Sequence, residues 1–463
     1  MIKWMIIFGA IYLAILVSLA IISRRKVKNA DDFMMGGFNI GYFLGFMTFA
    51  ATLFSTFTLM GMPDFFRNHG VAAWIFLAVS DGAMVFMVLW FGYNLRKKAG
   101  QKNYKGMAGL LSECYGNKWA GYVYFIGIFL FLVPYVSIQI RGISIFLDAA
   151  FNHALPAWGW ASLILLIMIL YSETGGLKAI MYSDVFQGIL LMGVVWVIAY
   201  NCVQNLDGIK QMFVEVKNTN EALLSAPGPK GLFTAQFLFT SMIAIVMIPV
   251  TQPQISSRLV IMKNQSSMNR MAVAVGCFAI LVILPTVAIG MFGAVKYADM
   301  NTADFLSQVL LFDQLGIVAA ATMIGLIAAA ISTSDSQIFA LSGELRSLLK
   351  GDEKKVLNTT KVCMIAFALA ALVFSLVSSD QLVLLARVSF AGTALMAPMI
   401  LTAILSNKQH GIHLVWITAV VILIFLGSLF GWVPNQLMGL RIDLILFLFL
   451  AVASTGFALA GRK

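Results

Sequence analysis

The chain has 463 residues, 60% of them hydrophobic and only 11% charged, with a formal net charge of +11. A soluble globular protein carries about 45–50% apolar and about 25% charged residues, so the composition excludes a soluble enzyme or binding domain. It indicates a chain that crosses a membrane many times.

Apolar runs long enough for a spanning helix, about 17–25 residues, fall at 4–23, 39–62, 72–95, 119–148, 155–172, 178–203, 231–250, 269–294, 315–342, 358–377, 381–405, 412–430 and 439–460. Barrel strands would be about half that length and alternate in polarity. The expected fold class is therefore an all-α polytopic bundle of about 13 transmembrane helices.

An odd number of spans puts the termini on opposite sides. If the loop 24–38 ("RRKVKNADDFMMGGF") is cytoplasmic, 22 of the 31 Lys and Arg fall on that side, seven fall outside, and Arg141 and Arg387 lie within spans. The positive-inside rule then sets the N-terminus outside and the C-terminus in the cytoplasm, so a plasma-membrane location is expected. The net charge reflects this topology, and nothing supports a nucleic-acid partner. The first span lacks a small-residue cleavage site and basic residues follow it, so it reads as a retained helix.

Cys114, Cys202, Cys277 and Cys363 are scattered, and His69, His153, His410 and His413 lie in connections or at span ends. No metal-ligand spacing and no Walker-type phosphate loop appears. The expectation is a solute mover driven by an ion gradient, with no transition metal, no ATP and no enzymatic step.

The second span reads "IGYFLGFMTFAATLFSTFTLMGMP", with hydroxyls at Thr48, Thr52, Ser55, Thr56 and Thr58. Such a segment suits a helix that unwinds locally and re-satisfies its freed backbone groups. It equally suits close helix packing through small residues. In "AAAISTSDSQIFAL" (328–341), Ala329, Ser332, Thr333 and Ser336 share one helical face, and Asp335 stands at its edge. That stripe is either a hard-oxygen surface for a small cation or a polar seam between helices. An ionised group at bilayer depth marks function by default. Asp184, in "SETGGLKAIMYSDVFQGILL", lies about 9 Å inside its span, at a depth matching that of Asp335.

Four dispersed segments carry a resemblance: "SRRKVKNADDFMMGG", "GGLKAIMYSDVFQ", "VTQPQISSRLVIMKN" and "ISTSDSQ". In this order they are similar to the basic segment with D-D-[FY]-x-x-G-G, the G-G-x-x-A-V-x-x-[TS]-D-x-x-Q signature, the loop ending in Q-x-x-x-R-x-x-A-x-K, and the S-T-x-D-S-Q of the sodium:solute symporters. That family includes sodium-coupled proline, pantothenate, sialic-acid, monocarboxylate and sugar transporters. The matches cover roughly residues 24–345, and the span spacing agrees to about 405.

The resemblance implies a leucine-transporter-type fold of two inverted five-helix repeats, 39–203 and 231–405, joined by an extracellular connector, 204–230. One extra helix with a basic loop (1–38) would precede them, and two peripheral helices (406–463) would follow. It also implies a sodium site made by Ala50 and Leu53 (carbonyls), Ala329 (carbonyl), and Ser332 and Thr333 (hydroxyls). A second sodium would lie among Asp184, Ser332, Asp335 and Ser336. Two carboxylates there also fit one sodium plus a proton.

For the solute, the resemblance places Phe54 and Phe57 beside the unwound segment, where they face it or simply pack. In "VPYVSIQIRGI", similar to the P-Y-x-x-x-Q-[LI]-[KR] of monocarboxylate-type members, Gln139 and Arg141 are the polar pair. Arg141 either captures a carboxylate or snorkels outward. Asp81 either binds an amino group or pairs with Arg141 or Arg387, and Arg387 reads as snorkelling. The expected activity is sodium-coupled import of a small organic solute: a carboxylate, an amino acid or a related compound. The alternatives are a proton-coupled symporter of the same fold and a membrane solute-sensing module. The sequence ends at "ALAGRK", with no signalling domain in sight and no obligate protein partner evident.

Overall fold

The computed structural model describes residues 2–24, 39–102, 104–151, 154–172, 176–406 and 411–460. The basic segment 25–38, the Glu173–Gly175 part of the matched signature and the C-terminal Gly461–Lys463 lie outside the described residues.

Helix α1 (Ile2–Arg24) is followed by α2 (Tyr42–Leu53) and α3 (Phe57–His69), two halves of one span bent by 52°. Next come α4 (Ile75–Gln101), the short α5 (Met107–Cys114), α6 (Lys118–Ala150), α7 (Ala157–Ser172), α8 (Gly176–Gln204) and α9 (Ile209–Thr219). Helices α10 (Ala235–Thr251) and α11 (Pro253–Ile261) form a second broken span, bent by 51°. Then follow α12 (Gln265–Lys296), α13 (Thr302–Phe312), α14 (Gly316–Leu348) and α15 (Glu353–Val377). A third bent pair, α16 (Leu382–Ala394) and α17 (Ala397–Leu405), turns by 41°. The chain closes with α18 (His413–Leu429), a two-residue hairpin pairing Gln436–Leu437 with Leu440–Arg441, and α19 (Ile442–Ala460).

Among the described residues six helices are long and apolar enough to cross a membrane, or up to nine if each bent pair counts as one. The other four of the expected thirteen spans fall on α1, α7, α18 and α19, whose apolar stretches among the described residues are shorter. Large apolar side chains such as Phe86, Ile189 and Leu423 point outward from the bundle, as a lipid-facing surface requires.

The breaks have local causes. Phe54 ends α2 in an extended conformation (φ −98°, ψ 112°) after donating its N–H to the Ala50 carbonyl. The freed amides beyond it are then met by hydroxyls: Ser55 N–H donates to Thr58 Oγ1 at 3.2 Å, and Phe57 N–H to Ser55 Oγ at 3.3 Å. The second span is thus an unwound helix. In the other broken span Gln252 is extended (φ −93°, ψ 119°), and Pro253 opens α11 where its missing N–H costs nothing.

The run 251–264, expected as a loop, is a buried helix over Pro253–Ile261. Its polar sequence "QPQISSR" conceals the second half of a broken span. Arg258, which falls in this run between two expected spans, is only 2% exposed in the bundle interior. A two-bond bridge fastens the open end of α11 to the start of α2: Ile40 N–H donates to Ile261 O at 3.2 Å, and Lys263 N–H to Ile40 O at 2.9 Å.

Candidate functional site

Three helices meet at the end of α2. Helix α14 packs on α8 and on α2, and α2 packs on α8. Their small residues permit this approach: Ala51 is 3% exposed, Ala329 2%, and Ala328 and Ala330 are fully buried.

Ser332 Oγ on α14 donates to Asp184 Oδ1 on α8 at 2.5 Å and lies 3.4 Å from the Ala51 carbonyl oxygen. Thr333 Oγ1 lies 3.4 Å from the same oxygen and 3.5 Å from that of Thr52. The carbonyls facing α14 are therefore those of Ala51 and Thr52, one residue from the expected Ala50. The Ala50 carbonyl accepts from Phe54 N–H, and the Leu53 carbonyl from the Tyr135 hydroxyl at 3.2 Å. Ala329 lies one turn before Ser332 and Thr333 on the same buried face of α14.

Asp184, fully buried, is held from three sides. Besides Ser332, Thr48 Oγ1 donates to its Oδ2, and Arg258 Nη2 lies 3.6 Å from that same oxygen. Arg258 is itself fixed: Nε donates to Thr48 Oγ1 at 3.0 Å, Nη2 to Ser336 Oγ at 2.8 Å, and Nη1 to the Gln254 carbonyl. Thr52 Oγ1 donates to the Thr48 carbonyl at 2.8 Å and lies 3.2 Å from Ser336 Oγ. Asp184, Ser332 and Ser336 are thus brought into one network, with Arg258 in their midst.

Asp335 is not part of that network. It is fully buried within electrostatic range of Asp184, and neither carboxylate oxygen has a hydrogen-bond partner among the described residues. A cleft lined by Tyr104, Gln254, Arg258, Ser336, Phe339 and Glu344 meets this network at Arg258 and Ser336.

Arg258 and Thr48 were missed as functional residues in the sequence. Thr48 had a signal, standing one turn before Thr52 in the hydroxyl-rich span. Arg258 had only its place in the matched "VTQPQISSRLVIMKN".

The solute residues fare unevenly. Phe54 and Phe57 are 1% and 5% exposed; Phe54 rests on Phe278 with ring centroids 5.5 Å apart, and Phe57 meets Phe390 edge-on at 6.5 Å. Gln139 is fully buried, its Nε2 donating to the Tyr135 carbonyl at 3.3 Å and its Oε1 without a partner among the described residues. Arg141 points away, to Asp380, at 2.8 Å, with its side chain 23% exposed. Carboxylate capture by Arg141 therefore has no support, since its guanidinium is already paired near the surface. Arg387 does not snorkel: it is 5% exposed, bonds Asp443 and Ser241 at 2.7 Å each, and covers the Phe237 ring. Asp81 pairs with neither arginine.

Residues 33–412 match the sodium:solute symporter family. The chain is 24% identical over 450 residues to "Sodium/proline symporter 2" of Staphylococcus saprophyticus, spanning 88% of this chain and 84% of that one. It is 20% identical over 327 residues to a sodium/pantothenate symporter of Haemophilus influenzae, spanning 70% and 66% respectively. Its fold superposes on a substrate-bound, outward-open sodium-coupled sialic acid symporter with a TM-score of 0.79 at 17% identity, covering 99% of this chain and 98% of that one. The broken spans, the oxygen-rich contact between α2 and α14 and the extent of these matches have one reading: the chain is a membrane transporter, not an enzyme, and belongs to the sodium:solute symporter family.

Proposed function

We propose that the chain imports a small organic solute by alternating access, driven by sodium bound between α2 and α14. The observation that carries this reading is the convergence of the Ser332 and Thr333 hydroxyls on the Ala51 and Thr52 carbonyls. Neutral oxygens from two helices, one of them interrupted at the next residues, form the donor set that secondary transporters present to sodium. In this reading Ala51 takes the place expected of Ala50, and the Ala329 carbonyl completes the set. The N-terminus lies outside, and 39–203 and 231–405 form the repeats. Each repeat then opens on a broken span, with bends of 52° and 51°.

A second cation is assigned to Asp184, Ser332, Ser336 and Asp335. One guanidinium and two ionised carboxylates leave a single negative charge, which one monovalent cation balances. A proton does the same, and the unpartnered Asp335 favours that second reading.

Sodium suffices as a driving force. A tenfold gradient is worth about 1.4 kcal/mol, and 100 mV adds about 2.3 kcal/mol per charge. One ion then concentrates a neutral solute roughly 500-fold. The test is uptake by proteoliposomes of proline and pantothenate, the substrates named for the two relatives, under an imposed sodium or proton gradient. Uptake that follows sodium and is abolished by Ser332→Ala supports the reading. Uptake that needs only acid outside transfers the coupling to Asp335.

A further inference from the structure

The polar atoms left open around the α2–α3 break are mostly acceptors. Helix α6 runs past that break. Tyr135 bonds the Leu53 carbonyl, and Gly142, seven residues on, has no room for a Cβ because Thr56 Cγ2 lies against it. Gln139 stands between them on the same face, and among the described residues its Oε1 has no partner, nor has Thr56 Oγ1.

Asp81 reaches the same level. Along α12, Gly276 meets Val85 (2.7 Å from a built Cβ to Cγ2) and Gly92 meets Met268, so α4 and α12 run in opposite directions. Going from Val85 back to Asp81 climbs about 6 Å, while Gly276 to Phe278, the residue that touches Phe54, climbs about 3 Å. Asp81 thus stands about 3 Å past Phe278 along the axis, near the level of the break. It lies on the buried stripe with Met84, Val88 and Phe91, is 7% exposed, and forms no hydrogen bond or ion pair among the described residues. It is close enough to Tyr135 to interact electrostatically.

Four arginines of the bundle are committed elsewhere: Arg67 to Asp64, Arg141 to Asp380, Arg258 to Asp184 and Arg387 to Asp443. No guanidinium among these is free to meet a solute carboxylate. A free carboxylate and an open amide oxygen instead await N–H donors, and the Phe57, Tyr135 and Phe390 rings supply aromatic faces of the kind that attract ammonium groups.

Resting on the symport reading above, we infer that the transported solute carries a protonated amine, which Asp81 and Gln139 receive beside the break. Amine-free carboxylates are then poor substrates. The test is thermal stabilisation of the purified full chain in sodium by matched probes: L-proline, pyrrolidine and N-acetyl-L-proline, and L-alanine and lactate.

Stabilisation by amines but not by their amine-free partners is expected. Asp81→Asn should weaken apparent amine affinity at least about tenfold, the loss of one charge-assisted hydrogen bond, while Asp81→Glu keeps part of it. The shift with sodium alone, read without solute, reports that each variant is folded. Stabilisation by lactate or N-acetylproline, undiminished amine affinity in Asp81→Asn, or no amine response from a protein that sodium stabilises each overturns the inference. A wild-type chain indifferent to sodium contradicts the symport reading instead.

Discussion

The Arg258 guanidinium lies 3.6 Å from Asp184 Oδ2 and donates to Ser336 at 2.8 Å. An arginine on the second half of a broken span is thereby wedged among oxygens that the family resemblance assigns to a cation. Its charge is the internal counterweight to Asp184.

Removing one partner of such a buried pair strands the other. Arg258→Met should therefore cost about 3–5 kcal/mol of stability. Arg258→Met combined with Asp184→Asn should recover a large part of the loss. Thermal unfolding of the single and double variants in detergent checks this; equal losses in both would mean that the pair does not act as a unit.

Asp335 gives the opposite expectation. A buried carboxylate without partners costs the folded protein free energy, so Asp335→Asn should leave unfolding in sodium-free buffer unchanged or raise its midpoint. If Asp335 serves a second cation, the same variant lowers the steepness of the sodium response. A lower midpoint without sodium would show that Asp335 has a structural partner in the protein.

Gly142 fixes how closely α6 passes the unwound segment. Gly142→Ala places a methyl group against Thr56 Cγ2, and overpacking of this kind costs about 1–3 kcal/mol. The displaced break should lower solute affinity more than the sodium response. Binding titrations of both ligands on the variant separate the two effects, and unaltered binding of both would show that the segment has room to give.

Tyr135→Phe removes the hydroxyl that holds the Leu53 carbonyl at 3.2 Å. Leaving that buried carbonyl unsatisfied should cost about 1–3 kcal/mol and loosen the break. Faster hydrogen exchange at Phe54–Phe57 than in wild type is the expected readout. Unchanged exchange there would assign the stability of the break to Ser55 and Thr58 alone.

Periodicity alone made the α14 stripe legible, because Ser332, Thr333 and Ser336 repeat at helical spacing and a carboxylate interrupts an apolar run. The break in the second span was legible only as one of two options, since clustered hydroxyls serve close packing as well as unwinding. Arg258 was hidden because a short polar helix that opens at the second of two closely spaced prolines, Pro249 and Pro253, looks like a loop. Arg387 was misread because its partner, Asp443, lies 56 residues away, on a helix with no sequence link to it. The one-residue difference between Ala50 and Ala51 depends on where α2 stops, and helix ends are the part of a fold that sequence specifies least.

Titrating thermal stability with sodium, with choline as the control, shows whether Ser332 belongs to a sodium site. A sodium site at Ser332 gives a saturable, sodium-specific rise in the wild-type midpoint that Ser332→Ala shifts to at least about tenfold higher sodium. A midpoint that is the same in sodium and in choline, or a Ser332→Ala response matching wild type, would contradict it.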